Sequence, residues 1–579
     1  MISMNSNALQ QYQNVENPIP ESQYAWPLYG AGIEKLGLNG KPVKREIPEI
    51  TADELLMRID AVSLCYTDVK EISLGDNHPR LKDRNLQENP IVPGHELSMT
   101  VIKVGDNLKD EYQVGQRYTI QPDVWVDGKS IPFSFGMDGA YRQFAVIDHR
   151  ILNGDAGNYL ISVPSEMTHA AAAITEPWAC VEAAYRMGYR SHLKASGSML
   201  IVGGEGTRSG FVLDDDWVAA NKPAEIFVCD LPADLVERVE ALCKKEGISF
   251  KACSHAELQD AEESFDDLLL LDLGANELTN LAEKLAKNAV ISFYLNAGMV
   301  EQVSIDLGRL HYDNYQYVGT DGLNLREAYD RNPARVEFLE GGIAWILGGG
   351  GPMGRMHVQR AIESQVGPRK IIVTEVTDVR LESIRTFFGP LAEKYGKELV
   401  LLNPVEDDAG YRKEMEKILD EGGVDDVEVM VTIPAIIGDA CQYVAKDGMI
   451  NIFAGMKRGV SLAVDPMLIA GERQIRFIGH SGSGLDDQKA VVDRCLASQL
   501  DTNLSVAAIG GLMEIPDGIR AMKDSVYPGK IVIFPQFSDL PLTGLTELGE
   551  VLPDVAKLLG ENDTWNAAAE AAFFESQLS

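Results

Sequence analysis

Residues 344–363 read AWILGGGGPMGRMHVQRAIE, and the parsing of the whole chain turns on this stretch. AWIL is a short continuous apolar run, the pattern of a strand buried on both faces. The glycines 348–351 that follow permit a tight turn. Pro352 suits the first position of a helix, where a missing N–H costs nothing. RMHVQRAIE then continues as helix. Gly349, Gly351 and Gly354 fall at G-x-G-x-x-G spacing in a strand–turn–helix setting, where the backbone can approach a pyrophosphate and the helix N-terminus supplies N–H donors. The next apolar run, KIIVTE, ends at Glu375, 21 residues after Gly354. A carboxylate there accepts both ribose hydroxyls and repels a 2′-phosphate. Gly349, Gly351, Pro352, Met353, Gly354 and Glu375 are thus the candidate dinucleotide-binding residues, with NAD(H) favoured over NADP(H); Arg380 nearby leaves that preference open.

Working outward, VEVMVTI and MINIFAG extend the strand series beyond KIIVTE. An equivalent series precedes it. SMLIVGG, EIFVCD, DDLLLLDL and AVISFYL are buried strands, separated by helical stretches such as ADLVERVEALCKKEG and ELTNLAEKLAKN. Both series have the doubly wound α/β pattern. Gly204, Gly206 and Asp230 lie 145 residues before Gly349, Gly351 and Glu375, and Asp306 and Gly319 lie 159 and 160 before Asp465 and Gly479. A steady offset with one insertion is what a repeated domain leaves. Two tandem Rossmann-type domains are expected, over 196–338 and 339–500. The first copy has a glycine loop one residue longer, followed by Asp214, Asp215 and Asp216, which compete with a pyrophosphate for the helix N-terminus. Arg208 offsets them in part and Asp230 sits at the ribose position, but a structural or assembly role is favoured over a second nucleotide site.

Residues 1–195 have a different texture. Short runs rich in Val, Ile and Thr alternate with Gly, Pro and Asp, which reads as a mostly antiparallel β domain. An Ala-rich helix closes it over 166–190. In 501–579, GGLMEIPDGIRAMKDSVYPGKIVIFP reads as a helix and a strand that complete no further βα pair and return to the first domain. The acidic, Ala-rich stretch from about 545 reads as a surface helix. The formal net charge is −35, which disfavours nucleic acid and anionic membrane surfaces as partners. There is no apolar stretch of spanning length and no basic, apolar leader. Seven cysteines without a CxxC pair point to free thiols and a cytoplasmic location.

Three features of the first domain bear on chemistry. Cys65 lies in LCYTDVK, His95 and Glu96 in VPGHE, and Glu176 in TEPWACV. Singly, each has a structural reading: a buried small thiol, a core histidine, a helix-start carboxylate. Together, a thiolate, an imidazole and a carboxylate can hold Zn²⁺ tetrahedrally with one position open for a substrate oxygen.

Cys-x-Thr-Asp, then Gly-His-Glu, then Glu-Pro before a helix and a nucleotide-binding domain resembles the medium-chain dehydrogenase/reductase family, its zinc alcohol and polyol dehydrogenases. The resemblance implies a GroES-like, mostly β catalytic domain. It implies Cys65 and His95 as metal ligands, Glu176 where the polyol branch places a glutamate, and Glu96 as a carboxylate that approaches or replaces a ligand. Thr67 is implied as the hydroxyl relaying the substrate proton, and Asp68 as the carboxylate orienting His95. The stretch QPDVWVDGKSIPFSFGMDGAYRQF, where many members carry four cysteines, has none. One catalytic and no structural zinc is therefore expected. The GGGGPMG and INIFAG segments and this cysteine-free lobe look most like the sugar-phosphate reductase branch, similar to L-sorbose-1-phosphate reductase. The implied activity is hydride transfer between a nicotinamide cofactor and a sugar, polyol or sugar phosphate in a cleft between the β domain and the second Rossmann copy, in a homodimer or homotetramer. A zinc amino-alcohol dehydrogenase similar to threonine dehydrogenase and a nucleotide-sensing scaffold are the alternatives. The first copy, lying between the β domain and the second, is unusual for the family.

Overall fold

The computed structural model describes residues 6–187, 189–204, 206–260, 264–273, 281–295, 302–330 and 337–578. Two compact units emerge: residues 1–182, 351–356 and 483–579 form one, and residues 183–350 and 357–482 the other.

The second unit is built on a single twelve-stranded sheet. Its strands, numbered along the chain, are β1 (Ser198–Val202), β2 (Glu225–Cys229), β3 (Ser249–Cys253), β4 (Phe265–Leu271), β5 (Leu285–Tyr294), β6 (Gln316–Thr320), β7 (Ile343–Leu347), β8 (Lys370–Thr374), β9 (Glu398–Leu402), β10 (Val424–Val429), β11 (Val444–Ile452) and β12 (Arg476–Gly479). The order across the sheet is β3-β2-β1-β4-β5-β6-β12-β11-β10-β7-β8-β9. Each half has the doubly wound order 3-2-1-4-5-6 with parallel pairing. Central strands such as β1 and β7 are buried throughout, whereas the outermost, β3 and β9, are largely accessible. That is why AWIL and SMLIV read as unbroken apolar runs.

The halves meet where β6 pairs antiparallel with β12, Tyr317 opposite Phe477. These two residues are repeat equivalents, 160 apart like Gly319 and Gly479. Val303–Asp306 and Ser461–Val464 pair in the same sense, with Ser304 opposite Ala463. A residue paired with its own equivalent marks a local two-fold relation. Neither β6 nor β12 is left as a free edge.

Of ELTNLAEKLAKN, expected as a helix, Leu281 is helical. Residues 277–280 lie outside those described, Ala282–Lys284 form a short 3₁₀ turn, and β5 begins at Leu285. From Leu285 on, β pairing with Phe265 overrides the helix propensity of the last residues of the segment.

The first unit carries an eight-stranded sheet. Thr543–Gly544, Val506–Gly511, Lys530–Phe534, Leu55–Ser63, Glu96–Val104, Arg117–Ile120 and Leu160–Ser162 follow one another across it, and Phe144–Ile147 also pairs with Leu55–Ser63. Two features differ from the sequence reading. Val506–Gly511 runs parallel to Lys530–Phe534 with helix Ile515–Lys523 between them, so the C-terminal segment does complete a βαβ crossover. The tail is also not a surface helix. In Ala567–Leu578, Glu570, Phe573 and Phe574 are buried. The Glu570 carboxylate accepts from the N–H groups of His169 and Ala170 at the start of helix His169–Ala173, and Phe573 packs on Phe534 and Phe537. Acidic and Ala-rich composition concealed a docked face carried by a few aromatic residues. Among the described residues no helix is long and apolar enough to cross a membrane.

Phe573→Ala is expected to destabilise this unit by about 3–5 kcal/mol. The check is the midpoint of its unfolding transition; an unchanged midpoint would detach the tail from the core.

Candidate metal centre and dinucleotide loop

Cys65 is the N-cap of helix Tyr66–Leu74. Its Sγ accepts the Thr67 N–H at 3.4 Å, while the Asp68 carboxylate accepts the Cys65 N–H at 2.9 Å. This reciprocal box holds the thiol at the N-terminus of the helix. Asp68 is fully buried. It also accepts from the Tyr141 hydroxyl at 2.7 Å and pairs with His95 Nδ1 at 3.0 Å. Burial alone would raise Asp68, but the His95 charge and these hydrogen bonds hold it below the usual carboxylate range. Burial likewise works against a charged His95, and the Asp68 carboxylate outweighs it, raising His95 well above its ordinary value. With Nδ1 tied to Asp68, Nε2 is the ring nitrogen left for a further partner.

Gly94 shows why a glycine precedes the histidine. Its φ is +96°, and a Cβ there would lie 2.5 Å from the Tyr141 ring. The Glu96 carboxylate, fully buried, meets Lys530 Nζ at 2.8 and 2.7 Å. Burial would lower Lys530, but Glu96 outweighs it and raises the ammonium.

Cys65, His95 and Glu96 each offer a ligand atom, and these atoms all lie within 4.8 Å of one another. Glu176, in the first turn of helix Thr175–Ala184, is outside that set. It is buried and interacts electrostatically with His95, Glu96 and Lys530. Burial, with Glu96 adding like charge, pushes its carboxyl up to about 7. The donor set, one thiol, one imidazole nitrogen and nearby carboxylates, fits Zn²⁺. Thr67 is half-buried in the first turn of its helix.

Three neighbours escaped sequence reading. Lys530 and Tyr141 reach the site from other strands and loops, and no local motif announces them. Cys180 stands one turn after Glu176; burial and the Glu176 charge raise its thiol. The four-residue spacing in EPWAC was the available signal.

In the second Rossmann-type half, β7 runs into the glycine turn, and Pro352–Glu363 is helical. Gly351, Pro352 and Met353 are half-buried and Gly354 is buried. Glu375, just past β8, folds back on the turn: its carboxylate accepts from Gly350 N–H at 3.1 Å and Val376 N–H at 2.8 Å. A Cβ on Gly350 would come within 2.1 Å of that carboxylate. Arg380 lies 3.6 Å from it.

Among its described residues, the corresponding loop of the first half is arranged differently. Gly204 N–H is spent on Thr207 Oγ1, and Arg208 is clamped by Asp272 through its backbone N–H and its Nε. The helix starts only at Asp215 and is capped by Asp214, which accepts the Trp217 N–H. Glu205 of this loop lies outside the described residues.

Residues 51–153 match the alcohol dehydrogenase GroES-like domain. The chain is 23% identical to mannitol-1-phosphate 5-dehydrogenase of Aliivibrio fischeri over 542 residues, 92% of this chain and 93% of that one. It is 25% identical to L-sorbose 1-phosphate reductase of Klebsiella pneumoniae over 300 residues, 48% of this chain and 72% of the relative. Identity reaches 40% with sorbitol dehydrogenase of Bombyx mori over 102 residues, 17% of this chain and 25% of the relative. Residues 51–153 thus share an alcohol dehydrogenase domain model, and the relatives matched over longer or shorter stretches carry the names of polyol and sugar-phosphate dehydrogenases and reductases. At 92% of this chain, the alignment with the Aliivibrio protein extends into the first Rossmann-type half.

Lys530→Ala leaves the Glu96 carboxylate buried without its cation, an expected loss of about 3–5 kcal/mol. Adding Glu96→Gln should recover most of it. Denaturation of the single and double variants tests this; a single variant as stable as the parent removes the pair from the architecture of the site.

Proposed function

We propose that the protein is a zinc- and nicotinamide-dependent oxidoreductase interconverting the alcohol and carbonyl forms of a sugar, polyol or sugar phosphate. The observation that carries this reading is the convergence of Cys65, His95 and Glu96, with Asp68 holding His95 from behind. Cys65 and His95 would hold the metal, with Glu176 and Glu96 as the carboxylates available to complete it. Because Lys530 neutralises Glu96, Glu176 is the carboxylate with more freedom to ligate. When bound, the zinc supplies Lewis acidity and the nicotinamide exchanges the hydride.

The chain's own groups do the rest. Asp68 fixes the tautomer and orientation of His95. The Thr67 hydroxyl relays the proton: on oxidation it accepts from the substrate hydroxyl while passing its own proton onward to solvent, and on reduction the relay runs in reverse. Gly349, Gly351, Pro352, Met353 and Gly354 would receive the pyrophosphate, and Glu375 the adenosine ribose, which favours NAD(H). The names of the relatives, a mannitol-1-phosphate dehydrogenase, a sorbose-phosphate reductase and sorbitol dehydrogenases, support the substrate class.

The test is metal content and NADH titration on the purified protein, followed by turnover with a panel of polyols and sugar phosphates. Chelation should abolish turnover while leaving the chain folded, and added zinc should restore it. Cys65→Ser should lose the catalytic metal, and Asp68→Asn should weaken its binding about 10–100-fold. Full activity in metal-free protein, or a Cys65→Ser variant that keeps catalytic metal and rate, sinks the reading.

A further inference from the structure

The repeat supplies an internal control on side-chain chemistry, because each position in one half has a counterpart in the other. At the ends of the second and third strands of the second half, Thr374 pairs with Leu402. At the same register in the first half, Cys229 on β2 pairs with Cys253 on β3. In-register neighbours on parallel strands direct their side chains to one face, and the two thiols are in contact. Asp230 follows Cys229 as Glu375 follows Thr374. Its carboxylate does not serve the loop but meets His255 Nε2 at 3.1 Å. The counterpart of His255, two residues past the strand, is Pro404. The first half thus replaces three residues of little or no ligating power with two thiols and an imidazole, around a carboxylate the two halves share.

We infer that Cys229, Cys253, Asp230 and His255 form a second metal site, for zinc or a similar borderline divalent ion, at the position corresponding to the ribose acid of the second half. Ligand atoms of Cys229, Asp230 and His255 lie within 4.8 Å of one another. Zinc bonds of about 2.0–2.3 Å place tetrahedral donors roughly 3.3–3.8 Å apart, so closure needs side-chain adjustments of about an ångström. Cys253, whose thiol touches that of Cys229 and lies 3.6 Å from the Val228 carbonyl, stands beside this set as the fourth donor. Cys229 is buried, while Asp230 and His255 side chains are 52% and 41% exposed, so an ion can enter from solvent. Two thiolates, an imidazole and a carboxylate form a closed tetrahedral set with no position for substrate, the character of a structural site. Asp230 has a left-handed backbone, φ +48°, a conformation aspartate tolerates better than most residues.

The site is tested with cobalt(II) as probe, under reducing conditions, in the full-length Cys65→Ser chain. That background removes the thiolate of the proposed catalytic centre, so failure there and failure here are separately visible. One cobalt per chain with a near-ultraviolet thiolate-to-metal charge-transfer band is expected. The band should disappear on adding Cys229→Ser, and cobalt affinity should fall at least tenfold on adding His255→Ala. In the Cys65-containing protein, zinc should drop from two per chain to one in Cys229→Ser, with turnover unchanged. Should Cys229→Ser fold poorly, the accessible His255→Ala and the half-buried Cys253→Ser carry the same comparison. Absence of the band in Cys65→Ser, or a band indifferent to all three substitutions, overturns the assignment.

Discussion

The candidate metal centre depends on one buried carboxylate. Asp68 takes the Cys65 N–H, the Tyr141 hydroxyl and the His95 ring nitrogen. A carboxylate in an apolar interior is costly unless its lone pairs are filled, and here the groups that fill them are those the site must orient. Neutralising Asp68 would free the cap of the helix, the ring of His95 and the hydroxyl of Tyr141 together. The glycine at 94 belongs to the same arrangement, since the ring of Tyr141 reaches Asp68 across the space a side chain there would occupy. Glu96 extends the chain of dependence to Lys530, 434 residues away along the sequence. The site is therefore incomplete without the C-terminal return of the chain.

In the second unit the governing constraint is a sheet edge. Each Rossmann-type half, taken alone, ends in a strand with unpaired N–H and C=O groups, a template for unwanted pairing. The seam between β6 and β12 joins the two edges to each other. The half whose own helix N-terminus is capped by Asp214 extends the sheet of the half that carries the glycine turn.

What could be read from sequence follows from how locally each feature is encoded. The glycine turn, Glu375 and the Cys-x-Thr-Asp and Gly-His-Glu segments are short stretches whose spacing constrains geometry, and the two strand series stood out by offsets of 145 and then 159–160 residues. Lys530, Tyr141 and Glu570 were not legible. Each acts through one contact closed by tertiary folding, and a lone Lys at the start of a strand or a lone Glu in an Ala-rich helix has no local signature. The docking of the tail was missed for a related reason: Phe573 and Phe574 supply most of its apolar face, too few to outweigh an acidic composition. The strand Leu285–Tyr294 was half-hidden because its first residues have helical propensity and become β only through pairing with β4.

The two halves also separate what a backbone fixes from what side chains decide. Both place an acidic residue just beyond the second strand. In one half that carboxylate turns onto a glycine N–H of the loop; in the other it turns to a histidine. The difference does not lie in strand order or register, which the halves share. It lies in what stands beside the acid. Thr374, Leu402 and Pro404 offer Glu375 no ionic partner, so the loop backbone and Arg380 claim it. Cys229, Cys253 and His255 surround Asp230 with polarizable and basic groups, and Arg208, the cation nearest the first loop, is already held by Asp272. Similar folds here set similar positions, while the chemistry at each is settled by a handful of neighbours.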